Sequence, residues 1–346
     1  MEINRKTNNF DLLRLLFAII VAVFHLSELS KIELLSGIKT YLSPGVAIDS
    51  FFVISGFLIF MSYESSKSLE NYASKRLRRI FPGYITVILF CSVFFYFISS
   101  KPDFVSYFNI ELLKYIFFNV LTLNFLHPSL PGVFENHQFP VVNGALWTIK
   151  IEVMFYIAVP LIVYIISKSN KLVVIASIYI ISILYSYVMV YLNRNLGSEI
   201  FLKLERQLPG QLAFFISGVA IYYYYEDFHN YRFKLLAMSV LVLLINSYVT
   251  QVYLLYPASL AIIVLYFATI FKYLGNFGKY GDLSFGVYIW HFPIIQILLT
   301  YNLFLNQVAG LGMFITCTLI ASYLSWHLIE KRYLYKSSHY VVSEQK

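Results

Sequence analysis

Long apolar stretches dominate this sequence, and their lengths restrict the folds it can adopt. Ten of them approach the length of about 20 residues that an α-helix needs to cross a bilayer. They cover residues 9–29, 44–62, 80–99, 146–167, 172–192, 208–226, 234–250, 253–271, 283–303 and 308–328. Hydrophobic residues make up 59% of the chain and charged residues only 13%, about half the charged fraction of a soluble domain. We therefore predict an all-α integral membrane protein with about ten transmembrane helices, in which residues 1–346 form a single domain.

The segment 110–126 is apolar but is not counted among the ten. If it crossed the membrane, the loop 127–143, which contains no Lys or Arg, would be cytoplasmic, and the basic turn 168–171 would lie outside. Both placements conflict with the enrichment of Lys and Arg in cytoplasmic loops. We therefore predict an interfacial or re-entrant segment and place both termini in the cytoplasm. The net charge of +8 should then face anionic lipid or an anionic cofactor rather than nucleic acid.

The first apolar stretch contains Asp11, Arg14 and His25. Arg14 and His25 are eleven positions apart, which on a helix is about 20° past three full turns and roughly 16 Å along the axis. Asp11 is one turn before Arg14, within pairing reach. Ionisable groups in a membrane helix are costly and usually mark a site. The alternative is that Arg14 extends to the membrane surface and His25 is an interfacial residue.

Three further polar residues are predicted at about the depth of His25. Asp49 and Ser50 belong to the second span, and Glu152 begins the fourth. The ionisable side chains of His25, Asp49 and Glu152 would then share one cavity near the outer side of the membrane. Each could instead be a structural hydrogen-bonding group.

A basic run, SKRLRRIFPGY, precedes the third span at its cytoplasmic end. Its cations are Lys75, Arg76, Arg78 and Arg79. They satisfy the topology rule and can contact lipid headgroups. Together with Arg14 they could also hold a phosphate-rich cofactor, because guanidinium groups match phosphate oxygens.

Two polar residues near the end of the chain need partners. His291 lies about halfway along the ninth span, where both a structural hydrogen bond and catalysis are open. Glu330 is predicted to form a helix-end ion pair with Lys331 and Arg332. Gly45, Ser55 and Gly56 in the second span are predicted to allow close helix packing. The chain has no HExxH motif and no CxxC pair, so no metal is predicted, and a histidine with carboxylates is the available chemistry.

Five motifs in order resemble the acyltransferase-3 family of membrane acyltransferases. The first is D-x-x-R followed by ten residues and H, and GVAIDSFFVISGFLI follows it. The others are KRLRRIFPGY, LWTIKIEVMFY, LSFGVYIWHFP and HLIEKR, and the resemblance covers residues 8–333. The motifs add Trp147, Tyr156 and Ser284 as candidate site residues beside His291. Lys150 and Phe285 depart from the family pattern, and Lys150 could bear on the choice of acceptor.

The resemblance implies transfer of an acyl group, usually acetyl from cytoplasmic acetyl-CoA, to a glycan hydroxyl. The acceptor would be a polysaccharide (O-antigen, capsule or exopolysaccharide) or an undecaprenyl-linked glycan, and the enzyme would lie in the bacterial cytoplasmic membrane. His25 would act as general base, Asp49 or Glu152 would orient it, and Arg14 would position the donor or stabilise developing charge. Direct transfer and an acyl-histidine relay stay open. Some family members carry an SGNH domain; none is expected here.

Two non-enzymatic alternatives use the same buried charges. A transporter or flippase for a glycan-lipid or acyl substrate would need them along its route. The sequence shows no inverted repeats or matched broken helices that favour such a route. A scaffold for polysaccharide assembly would leave Arg14, His25 and Glu152 unexplained.

Overall fold

A computed structural model describes residues 8–248, 253–279 and 281–335, and every regular element in this part of the chain is helical. The α-helices are α1 Phe10–Ser30, α2 Ile38–Tyr41, α3 Pro44–Glu64, α4 Leu69–Phe94, α5 Phe104–Tyr107, α6 Ile110–Val120, α7 Trp147–Lys168, α8 Lys171–Leu196, α9 Ile200–Glu205, α10 Leu208–Tyr223, α11 Tyr225–Asn230, α12 Arg232–Tyr248, α13 Tyr256–Thr269, α14 Leu283–Thr300, α15 Gln307–Leu324 and α16 Lys331–Tyr333. Short 3₁₀ turns cover Glu33–Leu35, Phe95–Ile98, Gly144–Leu146 and Leu303–Leu305, and Ser325–Glu330 is a π-helical turn. The all-α fold class is confirmed for the described residues.

Seven helical segments of the described chain are long and apolar enough to cross a membrane, and each overlaps a predicted span. They are Phe10–Ser30, Pro44–Glu64, Leu69–Ile98, Gly144–Lys168, Lys171–Leu196, Leu283–Thr300 and Gln307–Tyr333. The other three predicted spans are the helices α10, α12 and α13, of 16, 17 and 14 residues. Residues 249–250 of the predicted span 234–250 lie outside the described residues, as do 1–7 and 336–346 at the two termini. The number of crossings and the cytoplasmic termini therefore stay predictions.

The helix α4 begins well before the span that hydropathy predicts at 80–99. It starts at Leu69, so the whole basic run and Pro82 lie inside one helix. Lys, Arg and Leu are good helix formers, and they continue the helix past the point where the apolar run ends.

The segment 110–126 forms only the short helix α6. Asn109 caps it, because the Oδ1 atom of Asn109 accepts hydrogen bonds from the backbone N–H groups of Glu111 and Leu112. Its 11 residues are about 16 Å long, roughly half of the hydrocarbon thickness. The helix is too short to cross a bilayer, in agreement with the predicted interfacial or re-entrant segment.

The described chain forms two compact units. The first unit contains residues 8–13, Ile48–Ala73 and Ile151–Gly275. The second unit contains Arg14–Ala47, Ser74–Lys150 and 276–335. Four of the five boundaries fall within α1, α3, α4 and α7, and the fifth follows Gly275.

Close contact between helix backbones holds the first unit together. A Cβ atom on Gly56 of α3 would lie 1.9 Å from the carbonyl oxygen of Phe215 on α10, and one on Gly218 would lie 2.1 Å from that of Val53. The ring of Phe215 also stacks on Phe155 of α7, with centroids 4.1 Å apart. The predicted packing role of Gly56 is confirmed, because no larger residue fits between these backbones.

The helix α14 forms the core of the second unit. Most of its side chains are buried. Pro293 has no N–H group to give to the carbonyl of Ile289, and the side-chain amide of Asn143 donates to that oxygen instead, at 2.8 Å. A Cβ atom on Gly286 would lie 2.7 Å from the Cα atom of Ser322, so α14 also packs closely against α15.

The packing at Gly56 predicts a stability difference between two glycine substitutions. In Gly56→Ala the new methyl group meets the backbone of α10, and such overpacking costs about 1–3 kcal/mol. We expect a lower midpoint of thermal unfolding for the detergent-purified variant. Gly312→Ala in α15 is the control, because nothing lies within 4 Å of its Cβ position and alanine favours a helix. Equal midpoints for the two variants would contradict the close contact.

Candidate active site

Two histidines of the second unit form a hydrogen-bonded pair. The Nδ1 atom of His25 on α1 lies 2.8 Å from the Nε2 atom of His291 on α14. Their rings are almost parallel, at an interplanar angle of 9°, with centroids 5.1 Å apart. The Nδ1 atom of His291 lies 3.0 Å from the carbonyl oxygen of Val287, one turn earlier on α14. His291 is completely buried and His25 is half-buried, so only His25 is open to a reactant.

Aromatic side chains surround the pair. Phe292 presents its ring edge-on to His25, with centroids 5.4 Å apart. A Cβ atom on Gly144 would lie 2.8 Å from the Phe292 ring, so the chain before α7 comes very close at this point. The Tyr288 hydroxyl lies 2.7 Å from Thr148 Oγ1 and donates to the Ala145 carbonyl. These contacts seat the start of α7 beside the histidine pair.

A buried amide in the C-terminal half of α14 holds the loop 127–143 against this helix. Gln296 donates through Nε2 to the carbonyls of Phe139 and Val141, at 2.7 and 2.8 Å. Its Oε1 atom lies 2.8 Å from Nδ1 of His137. The sequence offered no signal for Gln296, because a glutamine in an apolar helix belongs to none of the motifs.

The charged residues of the first helix fall on both sides of a unit boundary. Arg14 is half-buried on the same helix as His25 and belongs to the same unit. Asp11 is half-buried in the first turn of α1 and belongs to the first unit.

The predicted carboxylates lie in the first unit. Asp49 is half-buried on α3, and Ser50 beside it is 1% exposed. Glu152 accepts a hydrogen bond from the Tyr156 hydroxyl one turn later on α7, at 2.7 Å. The structure thus pairs two motif residues with each other. Whether Asp49 or Glu152 shares a cavity with His25 stays a prediction.

Arg79 of the basic run of α4 is half-buried and contacts two buried carboxylates. Arg79 forms an ion pair with Asp282, which caps the N-terminus of α14 and also accepts from Ser284. The Nη1 atom of Arg79 lies 3.8 Å from a carboxylate oxygen of Glu330. Glu330 is 1% exposed and also accepts from Ser325 at 2.7 Å. The predicted partners of Glu330 were its neighbours in the sequence, whereas the structure pairs it with Arg79.

The other three cations of the run differ in their exposure. Arg78 is exposed, and its guanidinium donates to the carbonyl of Tyr333 at 3.3 Å and lies over the ring of Tyr335. Lys75 and Arg76 are half-buried, as is Trp147 at the start of α7. Within the described residues, no group of three or more His, Cys, Asp or Glu side chains is placed to hold a metal ion.

A hydrogen-bonded histidine pair on membrane-length helices can accept and return a proton. The family model described as "Acyltransferase domain" matches residues 7–327. An O-acetyl transferase of Shigella phage Sf6 is 30% identical over 348 residues, 96% of this chain and 98% of the phage protein. The O-acetyltransferase OatA of Staphylococcus aureus is 22% identical over 333 residues, 86% of this chain and 52% of OatA. Nodulation protein 10 of Rhizobium leguminosarum bv. viciae is 31% identical over 165 residues, 45% of this chain and 44% of that protein.

No solved structure matches the chain. The family match covers most of its length, and the phage relative covers nearly all of it. The chain therefore belongs to the acyltransferase-3 family. It is an O-acyltransferase, and its apolar helices make it a multi-pass membrane protein.

The buried contacts of Arg79 predict that it stabilises the fold. Removing one partner of a buried ion pair costs about 3–5 kcal/mol, because the other charge is left without compensation. We expect Arg79→Gln to lower the midpoint of thermal unfolding clearly. The exposed Arg78→Gln is the control, and loss of a surface cation changes stability by less than about 1 kcal/mol. If Arg79→Gln unfolds like Arg78→Gln but has a raised KM for the acyl donor, Arg79 binds the donor instead.

Proposed function

We propose that this enzyme transfers an acetyl group from cytoplasmic acetyl-CoA to a hydroxyl of a cell-surface polysaccharide or an undecaprenyl-linked glycan. Its location would be the bacterial cytoplasmic membrane. The observation that carries the proposal is the half-buried His25, hydrogen-bonded to His291 inside a chain of an O-acyltransferase family. The names of the phage and staphylococcal relatives support acetyl as the group transferred.

His25 serves as the general base in the proposed reaction. It removes the proton of the acceptor hydroxyl as the oxygen attacks the thioester carbonyl. The bond between carbon and sulfur then breaks, and His25 returns the proton to the thiolate. The products are the O-acetylated glycan and CoA with a free thiol. A relay in which His25 itself carries the acetyl group uses the same residues.

Charged residues around His25 would stabilise the transition state. Arg14, three turns earlier on α1, can position the thioester or offset the negative charge that develops on its carbonyl oxygen. Asp49 or Glu152 would orient the base or stabilise its charged form, as the family motifs imply.

Cations of the basic run would bind the donor. CoA carries phosphate groups, and guanidinium groups bind phosphate oxygens through paired hydrogen bonds. Arg79 contacts Asp282 and Glu330. The proposed phosphate ligands are the exposed Arg78 together with Lys75 and Arg76. The acceptor would approach from the opposite side, where the loop 127–143 covers α14.

We predict that replacing His25 abolishes acetylation without lowering the amount of protein in the membrane. Loss of a general base lowers rates by roughly 10²–10⁴-fold. We expect glycans from cells with His25→Ala to lack the mass of the acetyl group that the intact chain adds. His229→Ala on α11 is the matched control, and both variants must be present in the membrane in equal amounts.

Each outcome of this comparison is informative. Near-normal acetylation with His25→Ala would exclude His25 as the base. A mass difference of another acyl group would keep the mechanism and change the donor. Altered glycan quantity without any acyl difference would favour the transporter or scaffold.

If the basic run binds the acyl donor, loss of its cations should weaken donor binding and leave the chemical step unchanged. A double variant, Lys75→Gln with Arg78→Gln, removes two cations from the proposed phosphate site. We expect KM for acetyl-CoA to rise by roughly 10-fold with kcat little changed, because uniform binding is lost. Lys114→Gln is the control, since that cation is paired with Glu111 on α6 at 2.7 Å. An unchanged KM in the double variant would remove the basic run from the donor site.

A further inference from the structure

We propose that His291 is a positioning residue that fixes the tautomer of His25 and so presents its Nε2 lone pair as the catalytic base. This inference rests on the proposed function. It differs from the expectation that a carboxylate orients His25. Its support is the set of hydrogen bonds around the two rings.

The first step concerns the proton on His291. Its Nδ1 atom lies 3.0 Å from the Val287 carbonyl oxygen, which can only accept a hydrogen bond. The proton of a neutral His291 must therefore be on Nδ1. The ring is completely buried, and no ion pair to it exists among the described residues, so the neutral form is favoured over a buried charge.

The second step concerns the hydrogen bond between the rings of His25 and His291. With its proton on Nδ1, His291 presents a lone pair at Nε2. The Nδ1 atom of His25 lies 2.8 Å from that lone pair, so it must carry a proton and donate. The other tautomer of His25 would place two lone pairs against each other at this distance.

The third step identifies the reactive atom. Because Nδ1 of His25 holds the proton, its Nε2 has the lone pair. No hydrogen bond to this Nε2 occurs within the described part of the chain, and the His25 side chain is half-buried rather than closed off. When Nε2 takes a proton from the acceptor hydroxyl, the bond from Nδ1 to His291 becomes charge-assisted and stronger.

The fourth step concerns how rigidly the fold holds His291, the hydrogen-bond acceptor. His291 lies in the buried core of α14, and Asn143 completes the hydrogen bonding of that helix at Ile289. Phe292 contacts the His25 ring from the same helix. One rigid element therefore supplies both the hydrogen-bond acceptor and the wall that orients the base.

Two variants at position 291 test the proposal. His291→Phe keeps an aromatic ring but removes the nitrogen that accepts the hydrogen bond from His25. In His291→Gln, the side-chain oxygen Oε1 can lie near the former position of Nε2 and accept this bond. We expect kcat to fall by roughly 100-fold in His291→Phe, less than the loss of the base itself, and to recover partly in His291→Gln. KM for acetyl-CoA should stay within about twofold of wild type in both, because neither variant touches the donor site. His229→Phe is the control at a histidine of the first unit.

A second measurement reports on the tautomer without turnover. Nitrogen NMR of the ¹⁵N-histidine-labelled enzyme, with His25→Ala to identify the signals, should show His25 protonated at Nδ1 in wild type. His291→Phe should lose this preference and His291→Gln should keep it. Unchanged kcat and tautomer in a folded His291→Phe variant would overturn the proposal.

The same data separate the two proposals. An active wild-type enzyme whose His25 is protonated at Nε2 would overturn the positioning role and leave the acetyltransferase function standing. A wild-type protein with the Nδ1 tautomer but no acetyl transfer would support the pairing and overturn the catalytic function.

Discussion

A helix inside a membrane must satisfy its own backbone, because no water is available to replace a missing hydrogen bond. Pro293 breaks this condition in α14 by leaving the Ile289 carbonyl without its usual donor. Asn143 supplies the donor and thereby ties the chain before α7 to α14, two residues from His291 in the sequence of that helix. The same solution recurs in the first unit, where the Tyr72 hydroxyl bonds the carbonyl that Pro160 leaves free. A local defect in each helix thus becomes the point where another segment docks.

The helices were predictable where one physical quantity decides the structure. Apolar length alone identified all seven membrane-length helices, because burial in lipid depends on the length of the apolar run. It misplaced the start of α4, since the basic residues before 80 are good helix formers that hydropathy does not register. The glycine contact at Gly56 was also predictable as close packing, although its partner on α10 was not.

The site was predictable as a set of residues but not as a set of contacts. Residue type and the family motifs selected both His25 and His291, yet 266 positions separate them in the chain. Only the packing of α1 against α14 shows that they are hydrogen-bonded. Arg79 could not be distinguished from its neighbours in the basic run, because its partner Asp282 is 203 positions away. A sequence pattern shows which residues share one helix. The contacts within a site depend on which helices pack together in the fold.

A neutral partner suits a base that must accept a proton and then return it. A carboxylate hydrogen-bonded to His25 would also raise the proton affinity of the resting ring, so that part of the enzyme would hold its base already protonated and unable to take the acceptor proton. In the proposed mechanism His291 offers a neutral acceptor, whose hydrogen bond strengthens only as charge develops on His25. The low-dielectric surroundings of the pair enlarge this difference, because electrostatic interactions are weakly screened there. The base therefore stays uncharged until the acceptor hydroxyl arrives, and it stays aligned because its partner belongs to the buried core of α14.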